Sequence, residues 1–203
     1  MHCVRKRGSL PKPKVYGVDL DGVCFDFLGG FASWLKVNYS IDVQPHNLTN
    51  YYWTGFDTEL KDKIWKIYFH EFCREGGLLG LSAIPGAAEG INTLIDGGNT
   101  IHFITSREDY VLEDTIQSIT TKLGVESPSV HIAKGHVKTP YVKSLLVDIF
   151  IDDAPHTLTE VAINTRATVY CMDHPYNREI DETFIIRVHN WQEFLEAEGW
   201  INA

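Results

Sequence analysis

The sequence predicts an α/β fold: a Rossmann-like three-layer sandwich with a parallel sheet between two layers of helices, carrying a small inserted helical cap. Three observations lead there. Apolar, β-branched runs recur along the chain and alternate with segments of helical periodicity. The runs are nearly continuous rather than alternately polar, as expected of strands buried on both faces, and such strands belong to parallel sheets. Residues 21–99, between the first run and the second, are far more than one crossover helix requires.

Each element follows in order. Residues 1–13 (MHCVRKRGSLPKP) are basic, but no apolar segment of signal-peptide length follows, so they read as a loose arm. The first strand is KVYGVDL, and the core domain is assigned to residues 14–30 and 84–203. Residues 31–83 form the cap, rich in aromatics (YYWTGF, IWKIYFHEF). The core resumes at IPGAAEGINTLIDGG, where proline and glycine precede a helix and glycines follow it. The remaining strands are TIHFITS, SVHIAK, DIFIDD, ATVYCMD and TFIIRVH.

Composition narrows the function. The 203 residues, 44% apolar and 12% aromatic, suffice for one sizeable core with an insertion. A net charge of -9 argues against nucleic acid or an anionic membrane as a partner, so an anionic small molecule would need a metal or a few placed cations. No run approaches the roughly 20 apolar residues that span a bilayer. Cys3, Cys24, Cys73 and Cys171 are scattered without a CxxC pair, which suits a reducing cytoplasm better than a zinc site or a disulfide framework. Oligomeric state is left open, a homodimer included.

In parallel α/β sheets ligands bind beyond the carboxyl ends of the strands. Four segments fall there: DLDG (Asp19 to Gly22), TSR (Thr105 to Arg107), the lysine-bearing GHVKTPYVK, and IDDAP (Ile151 to Pro155). Singly, such residues cap helices or form turns. Together they suit phosphoryl transfer to an aspartate, which splits one hard hydrolysis into two easier steps. Asp19 and Asp21 are spaced so that one carboxylate attacks and the other handles protons. Crowded carboxylates repel each other and a phosphate, so a hard divalent cation is required, and Asp152 completes a magnesium shell. Thr105 hydrogen-bonds the phosphoryl oxygens while a lysine neutralises them.

VDLDGV, FITSR, VKTPYVK and DIFIDDAP stand in the order of the four motifs of the haloacid dehalogenase (HAD) superfamily of phosphohydrolases, and the chain resembles that superfamily over nearly its whole length. The resemblance implies that Asp19 is the nucleophile and Asp21 the general acid/base. It implies Mg²⁺ held by the Asp19 carboxylate, the Asp21 carbonyl and Asp152, with Asp153 in support. DLDGVCFDFLGGF running into a helix, the aromatic cap, MDHPYNR and VHNWQEF are most similar to the pyrimidine-type 5′(3′)-deoxyribonucleotidases. That similarity implies a nucleoside monophosphate substrate, with Phe27 and Trp53 around the base and Ser106 and Arg107 as further substrate contacts. Tyr52 is weighed equally as a core aromatic.

Lys134, Lys138 and Lys143 all precede Asp152. Lys138 is preferred, since in the relatives the lysine opens the helix before the last motif and Pro140 is acceptable at a helix start; Lys143 would then be a surface charge. Arg107 touches the phosphate or the cap, or makes a surface ion pair. His70, Glu71 and Cys73 lack a paired ligand pattern and read as a helix face. GHVKT lacks the earlier glycine of a phosphate-binding loop. Cys24 reads as packing or as a thiol beside the nucleophile, and HPYNR as one wall of the site or an ordered turn. Two alternatives stand beside the nucleotidase: a phosphatase for another small ester, and a non-catalytic nucleotide-binding protein.

Overall fold

A computed structural model of the protein describes residues 12–53 and 56–201. The arm expected over residues 1–13 falls, up to residue 11, outside the described residues, as does Cys3. Six strands form one sheet: β1 (Val15–Val18), β2 (Thr100–Thr105), β3 (Ser129–Ile132), β4 (Ile149–Asp152), β5 (Thr168–Met172) and β6 (Ile185–Val188). Each lies within one of the six runs read from the sequence. The order is β3-β2-β1-β4-β5-β6 and every pairing is parallel.

The unbroken apolar character of the runs now has its cause. Side chains alternate across a strand. Ile149 and Ile151 of β4 join one hydrophobic cluster, while Phe150 between them joins a second on the opposite face. Among the helices, α1 (Phe27–Tyr39), α2 (Thr58–Lys63), α3 (Phe69–Arg74), α4 (Gly77–Gly80) and α5 (Ala87–Asp96) come between β1 and β2. They are followed by α6 (Leu112–Ser118), α7 (Thr139–Ser144), α8 (Pro155–Asn164) and α9 (Trp191–Ala197). Ile91 and Leu94 of α5 and Trp191 and Phe194 of α9 cover the first face; Val142 of α7 and Leu158 and Val161 of α8 cover the second. Gly17, in the middle of β1, leaves room on that second face: a Cβ there would lie 3.0 Å from Phe150 Cδ2 and 3.1 Å from Ile104 Cδ1.

Residues between β1 and β2 leave and return at one point. Asp26 caps α1 by accepting from Gly29 N at 2.9 Å. At the return, Asp26 N donates to Ser82 O at 2.9 Å and Ile84 N to Cys24 O at 2.8 Å. Between α2 and α3 the helix widens over Ile64–Tyr68, where Phe69 N–H reaches back to Ile64 O. Phe31 of α1 packs its ring against Trp53, Trp65, Phe69 and Phe72. The boundary expected at residue 31 thus falls inside α1, and this aromatic cluster is continuous with the first-face core. Among the described residues no helix is long and apolar enough to cross a membrane. Cys24, Cys73 and Cys171 are free thiols, all buried.

Candidate active site

Asp19, Thr105 and Asp152 stand at or just past the carboxyl ends of β1, β2 and β4, three adjacent strands, so the parallel sheet alone brings them together. Asp19 N still pairs with Ile151 O at 3.0 Å before the chain turns away. Cys24 N and Phe25 N then both donate to Leu20 O at 2.8 Å, closing a tight loop. Gly22 has φ of 83° inside it, and a Cβ there would strike the Asp153 carboxylate. The glycine of DLDG is therefore required twice, for its backbone conformation and for the space it leaves.

Burial sets the electrostatics. Lys138 stands immediately before α7, with Pro140 early in the helix, and its side chain is 2% exposed. Its Nζ lies 2.5 Å from Asp19 Oδ1 and 2.8 Å from Asp152 Oδ2. Burial opposes the lysine's charge, but Asp152 and Asp19 hold its pKa above the ordinary value. Asp152 Oδ1 accepts from Asp153 N at 2.9 Å and Ala154 N at 2.8 Å, which fixes the carboxylate. Burial pushes the Asp19 carboxyl well up despite Lys138, with Asp152 and Asp153 adding to the rise. Burial and the charge of Asp152 push Asp153 up to about 7. Asp153 accepts a hydrogen bond from Tyr176 Oη, and its carbonyl accepts from Asn177 Nδ2 at 2.9 Å. Oxygens of Asp19, Asp152 and Asp153 lie within 4.8 Å of one another. Three buried carboxylates facing one lysine hold more negative charge than burial tolerates, and hard oxygen donors so placed suit a divalent cation.

The other two lysines stand elsewhere. Lys134 pairs with Asp109 on the surface at 2.7 Å, and Lys143 is exposed in the last turn of α7. Of the sequence candidates, the geometry brings only Lys138 to the carboxylates.

Asp21 points away from this cluster. Its carboxylate takes two bonds from Arg107, Nε to Oδ2 at 2.9 Å and Nη2 to Oδ1 at 2.7 Å. The Arg107 side chain is 1% exposed, so the pair is not the surface ion pair that was one option from the sequence. Thr105 is fully buried, and its Oγ1 accepts from Arg107 N at 3.3 Å. Ser106 lines the space above.

That space is a cavity of about 840 Å³ lined by Asp19, Asp21, Asp153 and Lys138, with Asp152 buried behind them. One wall is Phe27, Trp53, Trp65 and Phe69. Phe27, half-buried at the start of α1, stacks on Trp65 with ring centres 6.4 Å apart. Trp53 is only 4% exposed, packs on Phe56 and Trp65, and has φ of 54°, a left-handed conformation uncommon for a bulky residue. Tyr51, Tyr52 and Tyr176 also line the cavity, with Tyr52 exposed rather than in the core. HPYNR does close one side: His174 Nε2 lies 2.7 Å from Gly22 O and its ring stacks on Tyr176.

Trp65, Phe69, Tyr51 and Tyr176 were not singled out from the sequence. Trp65 and Phe69 belong to the aromatic run IWKIYFHEF, whose density of rings was the available signal. Cys24 Sγ donates to Asp19 O at 3.3 Å, and burial raises its thiol pKa well above the ordinary value, which removes the reactive form. His70 bonds Tyr110 Oη at 2.7 Å, and among the described residues the Asp19–Asp152–Asp153 group is the one cluster suited to a metal.

The 5′ nucleotidase, deoxy (Pyrimidine), cytosolic type C protein family matches residues 13–198. The candidate nucleotidase YqfW of Bacillus subtilis is 22% identical over 92% of this chain and 92% of its own. A candidate 5′(3′)-deoxyribonucleotidase of Chlorobaculum tepidum is 28% identical, covering 90% of this chain and 88% of its own. In fold, a HAD family hydrolase from Deinococcus radiodurans, solved with bound phosphate and sodium, superposes with a TM-score of 0.63 at 19% identity, over 96% of this chain and 99% of that one. The chain is a HAD-superfamily phosphoric monoester hydrolase of the 5′-nucleotidase type, and it belongs to the cytosolic type C 5′ nucleotidase, deoxy (pyrimidine), family.

Proposed function

We propose that the protein hydrolyses nucleoside monophosphates, deoxyribonucleoside monophosphates foremost, through a phosphoaspartate on Asp19 and with Mg²⁺. The observation that carries this reading is the pairing of Asp19 with Lys138 at 2.5 Å in a cavity also lined by aromatic rings. Asp19, Asp152 and the Asp21 carbonyl would hold the cation, with Asp153 beside them. Once bound, it would neutralise phosphate charge that Lys138 alone cannot offset.

The residues divide the chemistry. In the first half, an Asp19 carboxylate oxygen attacks phosphorus and the ester P–O bond breaks. The departing oxygen keeps the electron pair and takes a proton from Asp21, so the nucleoside leaves as an alcohol. In the second half, Asp21 takes a proton from water as the water oxygen attacks phosphorus. The bond to Asp19 breaks, and inorganic phosphate leaves. Thr105 and Lys138 hold the phosphoryl oxygens throughout. Phe27 and Trp53 flank the base and Ser106 lies near the phosphate. Buried unpaired thiols and a free-nucleotide substrate fit action in the cytoplasm.

Phosphate release from ribo- and deoxyribonucleoside monophosphates, with sugar phosphates alongside, tests this reading. Activity should be highest on deoxyribonucleotides, fall to background in EDTA and return with Mg²⁺. Equal turnover of sugar phosphates, or full activity in EDTA, would overturn it.

A further inference from the structure

Arg107 and Asp21 form a pair with unequal exposure. The Asp21 side chain is 25% exposed toward the cavity, whereas that of Arg107 is 1% exposed behind it. The guanidinium is itself anchored. Nη1 donates to Thr115 Oγ1 at 3.3 Å, Thr115 Oγ1 donates to Val111 O at 2.8 Å, and the guanidinium carbon lies 5.4 Å from the centre of the Phe25 ring. Two of its nitrogens grip both oxygens of Asp21 at 2.9 and 2.7 Å. A planar fork bound at both prongs fixes its partner in orientation as well as in place, which a lysine cannot do.

The surroundings show why fixing is needed. Asp21 lies two residues from Asp19, beside a cluster that carries Lys138 and attracts a cation. An untethered carboxylate there would swing toward those charges. Lys138 gathers Asp19 and Asp152, and Arg107 keeps Asp21 apart from them. With both oxygens already accepting from the guanidinium, each retains a free lone pair for one further proton donor. That is the arrangement of a carboxylate waiting to accept a proton.

We propose that Arg107 is a positioning residue for the second half of the reaction, aiming the Asp21 carboxylate at the water that attacks the phosphoaspartate. This rests on the two-step reading above. Asp21 removes a proton from water, the water oxygen forms the new bond to phosphorus, and the electron pair of the breaking P–O bond returns to Asp19. Arg107 keeps its own protons and touches neither water nor phosphate.

The test follows the intermediate as well as the rate. Wild type, Arg107→Met, Arg107→Lys and Asp21→Asn are mixed with ³²P-labelled nitrophenyl phosphate, whose nitrophenolate leaves without the proton that Asp21 gives a departing nucleoside, and quenched in acid, and protein-bound label is counted beside steady-state kinetics. A residue acting only after phosphoaspartate formation lowers kcat and KM together and leaves kcat/KM unchanged, because kcat/KM reports the first half. Arg107→Met should lose roughly ten- to a hundred-fold in kcat, with label approaching one per enzyme and an early burst of nitrophenolate. Arg107→Lys, lacking the second prong, should fall between it and wild type. A fall in kcat/KM without trapped label would make Arg107 a phosphate ligand or a packing element and overturn the inference. Label trapped in Asp21→Asn but not in Arg107→Met would overturn it alone. No label in any variant would overturn the two-step reading with it. If Arg107→Met does not fold, Thr115→Val, which removes only the rear anchor, takes its place with a smaller shift in the same direction.

Discussion

Lys138 Nζ lies 2.5 Å from Asp19 Oδ1, and neither side chain is more than 7% exposed. Removing the lysine deletes the one positive side chain that, among the described residues, meets both Asp19 and Asp152. Lys138→Met should lose roughly a hundred- to a thousand-fold in kcat/KM at saturating Mg²⁺. It should also lose about 3–5 kcal/mol of stability, since breaking a buried pair strands a charge. Lys143→Met, on the exposed side of α7, should stay within about twofold of wild type in kcat/KM, as a surface substitution does. Equal losses in both variants would remove Lys138 from the site.

Tyr176 donates to Asp153 from the wall of the cavity. If Asp153 supports the cation, its orienting partner matters to metal affinity even without substrate. Tyr176→Phe should weaken Mg²⁺ binding roughly ten-fold, as loss of an outer-shell bond commonly does. Titration calorimetry of the substrate-free protein measures this, and unchanged affinity would leave Asp153 outside the metal's surroundings.

Phe27 and Trp53 face the same cavity from different depths, Phe27 half-buried and Trp53 4% exposed. A base stacked on an aromatic ring gains roughly 1–3 kcal/mol. Phe27→Leu and Trp53→Leu should each lose about ten- to a hundred-fold in kcat/KM on a pyrimidine deoxynucleotide, with little change on nitrophenyl phosphate. Trp53→Leu should in addition unfold at lower denaturant, because the ring is embedded in the aromatic cluster. A uniform loss on both substrates would assign these rings to packing.

His102 of β2 and His131 of β3 meet across the sheet, His102 Nδ1 being 2.9 Å from Ser129 Oγ and 3.3 Å from His131 Nε2. Burial lowers the pKa of both, and for His102 the neighbouring His131 adds to the effect. A base with a lowered pKa in the fold binds fewer protons there than in the unfolded chain. The stability this pair contributes is therefore complete above pH of about 6.5 and is lost as pH falls below it. Denaturant midpoints measured from pH 7.5 to 5 should fall less steeply for His102→Asn/His131→Asn than for wild type. Parallel slopes would assign the acid sensitivity to other groups.

The six strands could be read from the chain because a strand buried on both faces needs an unbroken apolar run, and Ile149–Phe150–Ile151 shows both faces being filled in turn. Asp19, Thr105 and Asp152 were legible for the same reason: each marks where such a run ends. What stayed hidden depends on chain folding over distance. Arg107 reaches Asp21 across 86 positions and Tyr176 reaches Asp153 across 23, and no local pattern encodes either meeting. Of Lys134, Lys138 and Lys143, the helix start before the last motif already favours Lys138, and the structure buries it against Asp19 and Asp152. Within residues 31–83, the widened turn at Ile64–Tyr68 departs from the regular helical period, so the faces of its aromatics could not be assigned by counting.

The three buried thiols make the folded protein a set of timers. Cys24 sits in the loop that carries Asp19, Cys73 in α3, and Cys171 in β5, between β4 and the edge strand β6. A thiol reagent reaches each only when that part opens, so its labelling rate measures the free energy of local opening there. With Cys3 replaced by serine, three single-cysteine versions would time three regions separately. A phosphate analogue should slow the clock at Cys24 most, since a ligand protects only those openings that destroy its own site.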